Sequence, residues 1–330
     1  MHFKLQIPAF WWKRNLISWL LWPFSLIYRV IVLLRRYYYK FRQPKALKVP
    51  LIVVGNITVG GTGKTPLVIH LVNSLQKQGY KVGVISRGYG GNLSKVAVGL
   101  VTKSSSPLKV GDEPCLIFQR TNAICVVGKN RYRAAEYALK LGCEVLISDD
   151  GLQHYALPRN LEIAVIDGIF KLGNGWLLPA GPLREPVKRL KTVDLVIENY
   201  YGVAMPLAFP HLKMRIVPKK WHNLVTGKEA LSESLSVYSL HWVAGIGNPH
   251  KFWETLVSLG LQGTKHAFPD HHCFKAEDFA FAKKDELILL TEKDAVKCRD
   301  FADERFWSLE VAAELDQDLT SWLIQKLNLK

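Results

Sequence analysis

The residues of this 330-residue chain best suited to chemistry are a lysine and a threonine placed directly after a glycine-rich turn, Gly60-Gly-Thr-Gly-Lys-Thr65. Backbone N–H groups of such a turn converge on an anion at a helix N-terminus, where the helix dipole also favours negative charge. Gly60, Gly61, Thr62 and Gly63 would form the cradle, Lys64 would reach the β- and γ-phosphates of a nucleotide, and the Thr65 hydroxyl would ligate Mg2+. The general pattern asks for glycine at position 58, where Thr58 stands. A ligand-free strand-to-helix turn is the bland alternative. Against it, Gly-Lys-Thr falls between an apolar strand, Leu51 to Val54, and an amphipathic run, Leu67 to Leu75, which is the context the motif requires.

Other chemistry-bearing residues also follow apolar runs. Val145–Ser148 leads into Asp149-Asp-Gly-Leu-Gln-His154, and paired carboxylates after a strand suit the other side of a Mg2+ site, though such pairs also make turns. Lys81–Ile85 leads into Ser86-Arg-Gly-Tyr-Gly-Gly91, so Arg87 is expected at the ligand edge of a parallel sheet. Gly111-Asp-Glu-Pro114 opens a helical run, and either acid could equally complement a helix N-terminus. Leu177–Pro186, with Arg184 and Glu185, is too proline-rich for regular structure and reads as an active-site wall. His271, in Phe268-Pro-Asp-His-His272, also suits a domain-interface hydrogen bond. Gly245–Asn248 and Thr291–Asp294 are loop ends in the second half and the candidates for holding adenine.

The elements that must position these residues alternate strand and helix through residue 200. That rhythm predicts an α/β fold: a P-loop NTPase-like parallel sheet with helices on both faces, plus a smaller C-terminal α/β domain. The expected organisation is residues 1–43 as an N-terminal interfacial helix, 44–210 as the P-loop domain and 211–330 as the C-terminal domain. Strand Phe306–Val311 is expected to pair with Leu212–Val217 across the boundary as a hinge.

The net charge is +16, and the first 111 residues hold 17 Lys or Arg with no Asp or Glu, whereas the remainder is balanced at 27 basic and 28 acidic. An even excess would suit a nucleic-acid binder. A basic first third favours an anionic membrane surface or a polyanionic substrate, and no nucleic acid. Within residues 10–43, Arg14, Ser18, Ser25, Arg29 and Arg36 are spaced by 4, 7, 4 and 7, which keeps them on one helical face of an otherwise apolar, Trp- and Tyr-rich stretch. Pro23 is expected to kink or divide that helix. The charge-free run Asn15–Tyr28 is shorter than the ~20 residues of a bilayer span, and no signal-peptide cleavage site follows. An interfacial helix with its basic stripe towards anionic headgroups is therefore favoured over a spanning helix or one packed on the core. Cys115, Cys125, Cys143, Cys273 and Cys298 form no C-x-x-C pair and are expected to be reduced, in a cytosolic compartment.

Val54–Thr65, Ser86–Tyr89, Gly111–Pro114, Asp149–His154, Leu178–Pro186, Phe268–His271 and Thr291–Asp294 together, in this order, resemble the tetraacyldisaccharide 4'-kinase family, the lipid A 4'-kinases of Gram-negative bacteria. The Thr58 departure is shared with that family. The resemblance implies transfer of the γ-phosphate of ATP to the 4'-hydroxyl of a tetraacyldisaccharide 1-phosphate, a lipid A precursor. It also implies a peripheral position on the cytoplasmic face of the inner membrane, and two domains that close over the nucleotide on a two-stranded hinge. Carried onto this chain, Lys64 and Thr65 hold phosphate and Mg2+, and Asp149 and Asp150 complete the metal site. Asp112 is the base with His271 as partner, and Arg87, Arg131 and Arg184 contact phosphate. A surface-cycling ATPase of the ParA/MinD type is the alternative, but such switches carry lysine just before the paired glycines, where Val59 stands here. A membrane-docked nucleotide-binding scaffold would leave Asp112 and His271 without a role.

Overall fold

A computed structural model describes residues 8–42, 44–93, 97–202 and 209–329. The first segment holds a short 3-10 turn, Ala9–Trp11, and then a single helix, α1 (Leu16–Phe41), running unbroken through Pro23. It is followed by β1 (Leu51–Gly55), α2 (Lys64–Lys77), β2 (Val82–Ser86), β3 (Gly99–Leu100), α3 (Pro107–Val110), α4 (Asp112–Thr121), β4 (Ile124–Val127), α5 (Arg131–Lys140), β5 (Val145–Ser148), β6 (Leu161–Asp167) and β7 (Leu195–Asn199). The second half contains β8 (Leu212–Asn223), β9 (Glu229–Ala230), α6 (Ser232–Leu235), β10 (Leu240–Ala244), α7 (Pro249–Ser258), β11 (Thr264–Ala267), β12 (Leu287–Thr291), α8 (Glu292–Cys298), β13 (Phe306–Leu315) and α9 (Thr320–Lys326).

Among the described residues, thirteen strands join one sheet in the order β11-β10-β12-β13-β8-β7-β6-β1-β5-β2-β4-β3, with β9 beside β8. β1, β2, β5 and β6 are buried along their whole length, as parallel strands covered on both faces must be, which is why they read as continuous apolar runs. On one face, Leu67, Val68, Leu71, Val72 and Leu75 of α2 and Leu116 and Ile117 of α4 pack on alternate strand residues such as Ile52, Val54 and Ile147. On the other, Ala134, Ala135 and Ala138 of α5 meet Leu51, Val53 and Leu146.

The two wings of the sheet are joined by β8. It runs parallel to β7 and antiparallel to β13, with Leu315 opposite Met214 and Trp307 opposite Asn223. The two strands expected to pair do so, but in a shifted register: Val311 lies opposite Pro218 and Trp307 opposite Asn223, while Val217 and Met214 face Ala312 and Leu315, because each strand is longer than its apolar run suggested. Val296 of α8 and Leu319 and Leu323 of the C-terminal segment lie in the same core as α2 and α4, so the end of the chain packs back on the first half.

The helix α1 is turned opposite to the orientation expected of its polar stripe. Ser18 and Ser25 are buried. Ser25 Oγ donates to Leu177 O (2.8 Å) and accepts from Ala180 N (3.1 Å), while Tyr28 Oη donates to Arg184 O (3.2 Å). Arg14 donates to Asn174 O and lies over Trp176. Small hydroxyls allow close approach and bond the loop backbone: Ser25 takes the Ala180 N–H and adds a second donor to Leu177 O, which also accepts from Gly181 N (3.0 Å). The face left exposed is apolar: Leu16, Trp19, Leu20, Phe24, Ile27, Val30, Ile31, Leu34 and Phe41. Residues 1–7 and 43 of the expected interfacial segment, and 203–208 next to the expected domain boundary, lie outside the described residues.

Candidate active site

Gly63 caps α2 with φ +89°, and a Cβ there would lie 2.6 Å from Asn199 Nδ2. Asn199 also donates to Thr62 O (3.2 Å), so the last residue of β7 holds the phosphate loop from the side. The proline-rich segment, with a cis Leu178–Pro179 peptide, forms the opposite wall: Val59 N donates to Pro182 O and Arg184 N to Ile57 O. Gln153 Nε2 bridges Asn56 O and Glu185 Oε1, both at 2.8 Å, which ties the Asp149–His154 turn to both.

Lys64 begins α2, and its Nζ lies 3.5 Å from Asp150 Oδ1. Arg184 approaches the other oxygen of Asp150 at 3.4 Å. Asp150 adopts φ +48°, an uncommon conformation for a residue with a side chain. Burial would raise its carboxyl, but Lys64, Arg184 and Arg131 outweigh this and hold it at about 2. Asp149 is 1% exposed, and neither carboxylate oxygen has a partner. Burial, followed by the nearby charges of Glu113 and Asp150, pushes its carboxyl upward. Two adjacent acids with orphaned oxygens, and among the described residues no group of three or more His, Cys, Asp or Glu placed to hold a metal, suit a hard cation that also takes phosphate oxygens and water.

Arg131 is buried and directed at this turn, donating to Ser148 Oγ (3.2 Å) and Asp150 O (2.8 Å). Arg87 follows β2 with its side chain exposed, near enough to lower the basicity of Arg131 and His154. His154, half-buried, is brought down to about 4, first by burial and then by the charges of Arg131, Arg159, Arg35 and Arg87.

Asp112 is the first residue of α4 and only 4% exposed. Gly111 before it has φ +93°, and a Cβ there would lie 2.7 Å from Tyr89 O, so the Gly-Asp-Glu-Pro turn fits closely against the Ser86–Gly91 loop. Asp112 Oδ1 accepts from Glu113 N, and Oδ2 lies 2.9 Å from His271 Nδ1. His271 has φ +58° and stands beside the Tyr89 ring, 5.1 Å between centroids. Burial raises the Asp112 carboxyl, but the His271 bond and the Lys293 and Lys297 charges bring it below its usual value. The bond to Asp112 raises His271 against burial and Lys293. The charge of Glu113, next to Asp112 in the sequence, reaches Asp149 and helps to raise its carboxyl.

Of the residues singled out in the sequence, the structure gathers Lys64, Asp149, Asp150, Arg131 and Arg184 at one turn, and Asp112 with His271 beside it. Sequence reasoning passed over Asn199, Gln153 and Lys293. Asn199 and Lys293 stand at or just beyond the ends of β7 and β12, the signal that had singled out Arg87. The Thr291–Asp294 and Gly245–Asn248 loops, adenine candidates in the sequence, are tied to each other: Asp294 Oδ2 accepts from Gly245 N (2.9 Å) and from Thr291 Oγ1 (2.7 Å).

A buried strand, a glycine loop, Lys-Thr at a helix start and paired acids just after the adjacent parallel strand define a P-loop nucleotide-binding protein, and an Asp–His pair is the equipment of a phosphotransferase. The family model for tetraacyldisaccharide-1-P 4'-kinase matches residues 17–328, and the chain belongs to that family. Tetraacyldisaccharide 4'-kinase of Methylobacillus flagellatus is 47% identical over 98% of this chain and 96% of its own length. The protein of that name from Legionella pneumophila (strain Corby) is 42% identical over 97% and 98%. A crystal structure of LpxK from Aquifex aeolicus in complex with ATP superposes with a TM-score of 0.82 at 28% identity, covering 94% of this chain and all of that one.

Proposed function

We propose that this chain phosphorylates the 4'-hydroxyl of a tetraacyldisaccharide 1-phosphate with ATP, making a lipid A precursor, at the cytoplasmic face of a membrane. The 4'-oxygen forms a bond to the γ-phosphorus, the bond from that phosphorus to the β,γ-bridging oxygen breaks, and ADP leaves. The observation that carries the reading is the 2.9 Å contact between Asp112 and His271 next to a phosphate loop. An alcohol must lose its proton as it attacks, and a buried carboxylate kept ionised by its neighbours accepts it. Lys64, with Arg184 at the same carboxylate, supplies positive charge where the transferred phosphate would sit. Asp149, Asp150 and Thr65 would hold Mg2+, which would neutralise charge on the β- and γ-phosphates. The cradle is Gly60 to Lys64. Arg131 acts by shaping the Asp149–Asp150 turn, and Arg87 by its exposed charge at the loop edge.

The division at 44–210 and 211–330 is part of the proposal: the halves would pivot on β8 and β13, and separation would part Asp112 from His271. The outward apolar face of α1, 26 residues long and docked along the active-site wall, supports an interfacial location that presents the site to a lipid. The surface-cycling ATPase reading is not favoured, since the family model spans nearly the whole chain. Incubation with ATP labelled in the γ-phosphate and micellar lipid A precursor tests the reading. Label should appear in the lipid; label in free phosphate alone, or in neither, would overturn it.

A further inference from the structure

Lys293, which follows β12, is the second residue of α8, and its ammonium crosses from the second half of the chain to the first. Its Nζ lies 3.2 Å from Glu113 Oε1, 3.8 Å from Asp270 Oδ1 and 3.9 Å from Asp112 Oδ2. It therefore touches the carboxylates on both sides of the Asp112–His271 contact: Asp112 and Glu113 on α4, and Asp270 beside His271. At the other end of α4, Arg120 bonds Glu292 Oε1 (2.5 Å), the first residue of α8, together with Glu310 Oε1 (2.7 Å) and Val311 O (3.3 Å) of β13. The Arg120 pairs hold α4 against α8, so Lys293 need not serve as the only clamp.

We propose that Lys293 is a positioning residue for phosphoryl transfer: set among Asp112, Glu113 and Asp270, its fixed positive charge keeps Asp112 ionised and His271 ready to give up a proton. The inference rests on the reading of Asp112 as the base.

Three acids and one lysine meet at this seam, with His271 between them. Lys297 of α8 adds charge from further away, and Tyr89 covers the His271 ring. Burial disfavours the Lys293 ammonium, but the three carboxylates outweigh this and keep it charged. A cation so placed opposes protonation of both members of the pair, because a proton on either adds charge of like sign or removes the partner it attracts. Take it away and Asp112, Glu113 and Asp270 hold a proton on the His271 pair to higher pH.

The test is the pH dependence of kcat on micellar lipid acceptor, with Lys293→Met, Lys293→Arg, Glu113→Gln and Asp112→Asn. Lys293→Met should move the acid limb up by about one pH unit, with the KM for ATP unchanged and most of the rate recovered at high pH. Lys293→Arg should return the limb to its original place, since it restores the charge. Glu113→Gln, which removes a carboxylate and leaves Lys293, should move the limb the other way and serves alone if Lys293→Met does not fold. An unmoved limb in the folded variants, or a loss uniform across pH that arginine does not repair, would overturn the role of Lys293. An active Asp112→Asn would instead overturn the reading of the base.

Discussion

Asp112 and His271 are 159 positions apart in the sequence, and their side chains meet at 2.9 Å where α4 faces the loop after β11. Each residue is held from its own side. Gly111 allows the turn that delivers Asp112, and the Asp270 carboxylate accepts from the His271 backbone N–H (3.0 Å). Replacing Asp112 by Ala should lower kcat by about a hundred- to ten-thousandfold, the usual range for a general base, with the KM for ATP little changed. Steady-state kinetics with saturating lipid acceptor would check this; an unchanged kcat removes Asp112 from the mechanism.

The same contact makes stability depend on pH in a defined window. His271 is raised above its ordinary 6.5, so its contribution is fully present below that value and fades as pH rises through the raised one. Asp112 is lowered below its ordinary 3.8, so its contribution is present above that value and is lost only in stronger acid. The Tm difference between the wild-type chain and His271→Gln should accordingly be largest between about pH 4 and 6.5 and shrink towards pH 9. Thermal unfolding across that series would show it, and a difference that grows with pH would contradict the assignment.

Lys64 stands against Asp150 at 3.5 Å, a contact that the phosphates of a nucleotide would take over. A ligand at a hundred times its Kd stabilises the folded state by about 2.7 kcal/mol. The wild-type chain should show a corresponding Tm rise with MgATP, and Lys64→Ala should lose most of it. Adding a chelator should diminish the rise in the wild-type chain, and so should Asp149→Asn without chelator.

Gly111 sits at φ +93°, with Tyr89 O where a Cβ would go. Because the obstacle is backbone, Gly111→Ala should cost about 1–3 kcal/mol, measured by denaturant unfolding, and should weaken turnover by displacing Asp112.

Exchanging Leu20, Ile27 and Leu34 of α1 for serine removes outward apolar surface without touching Ser18, Ser25 or Tyr28. Such a variant should retain its Tm yet sediment less with anionic vesicles. Ser25→Val, by contrast, leaves Ala180 N without its partner, takes one of two donors from Leu177 O and should lower the Tm, at a cost of about 1–3 kcal/mol.

What could be read along the chain is what local spacing controls. Leu51 to Val54 must be a covered strand because four consecutive apolar residues suit a sheet buried on both faces, and Gly60 to Thr65 must turn and start a helix. Asp149 and Asp150 follow their strand for the same reason, so the glycine turn with its Lys-Thr and the paired acids could be placed from the sequence. The family resemblance added His271 and Asp112, whose pairing no periodicity encodes.

Tertiary structure alone decided the rest. Periodicity marked Ser18 and Ser25 as sharing a face of α1, but a helix has no inside until a body is placed against it. Here the proline-rich loop, through Ala180 N and Leu177 O, bonded the Ser25 hydroxyl and left the larger apolar face outside. Lys293 lay in a loop end that suggested adenine. Only the packing of α8 on α4 puts its charge among three carboxylates drawn from both halves of the chain, because electrostatic partnership follows distance in space and not in sequence.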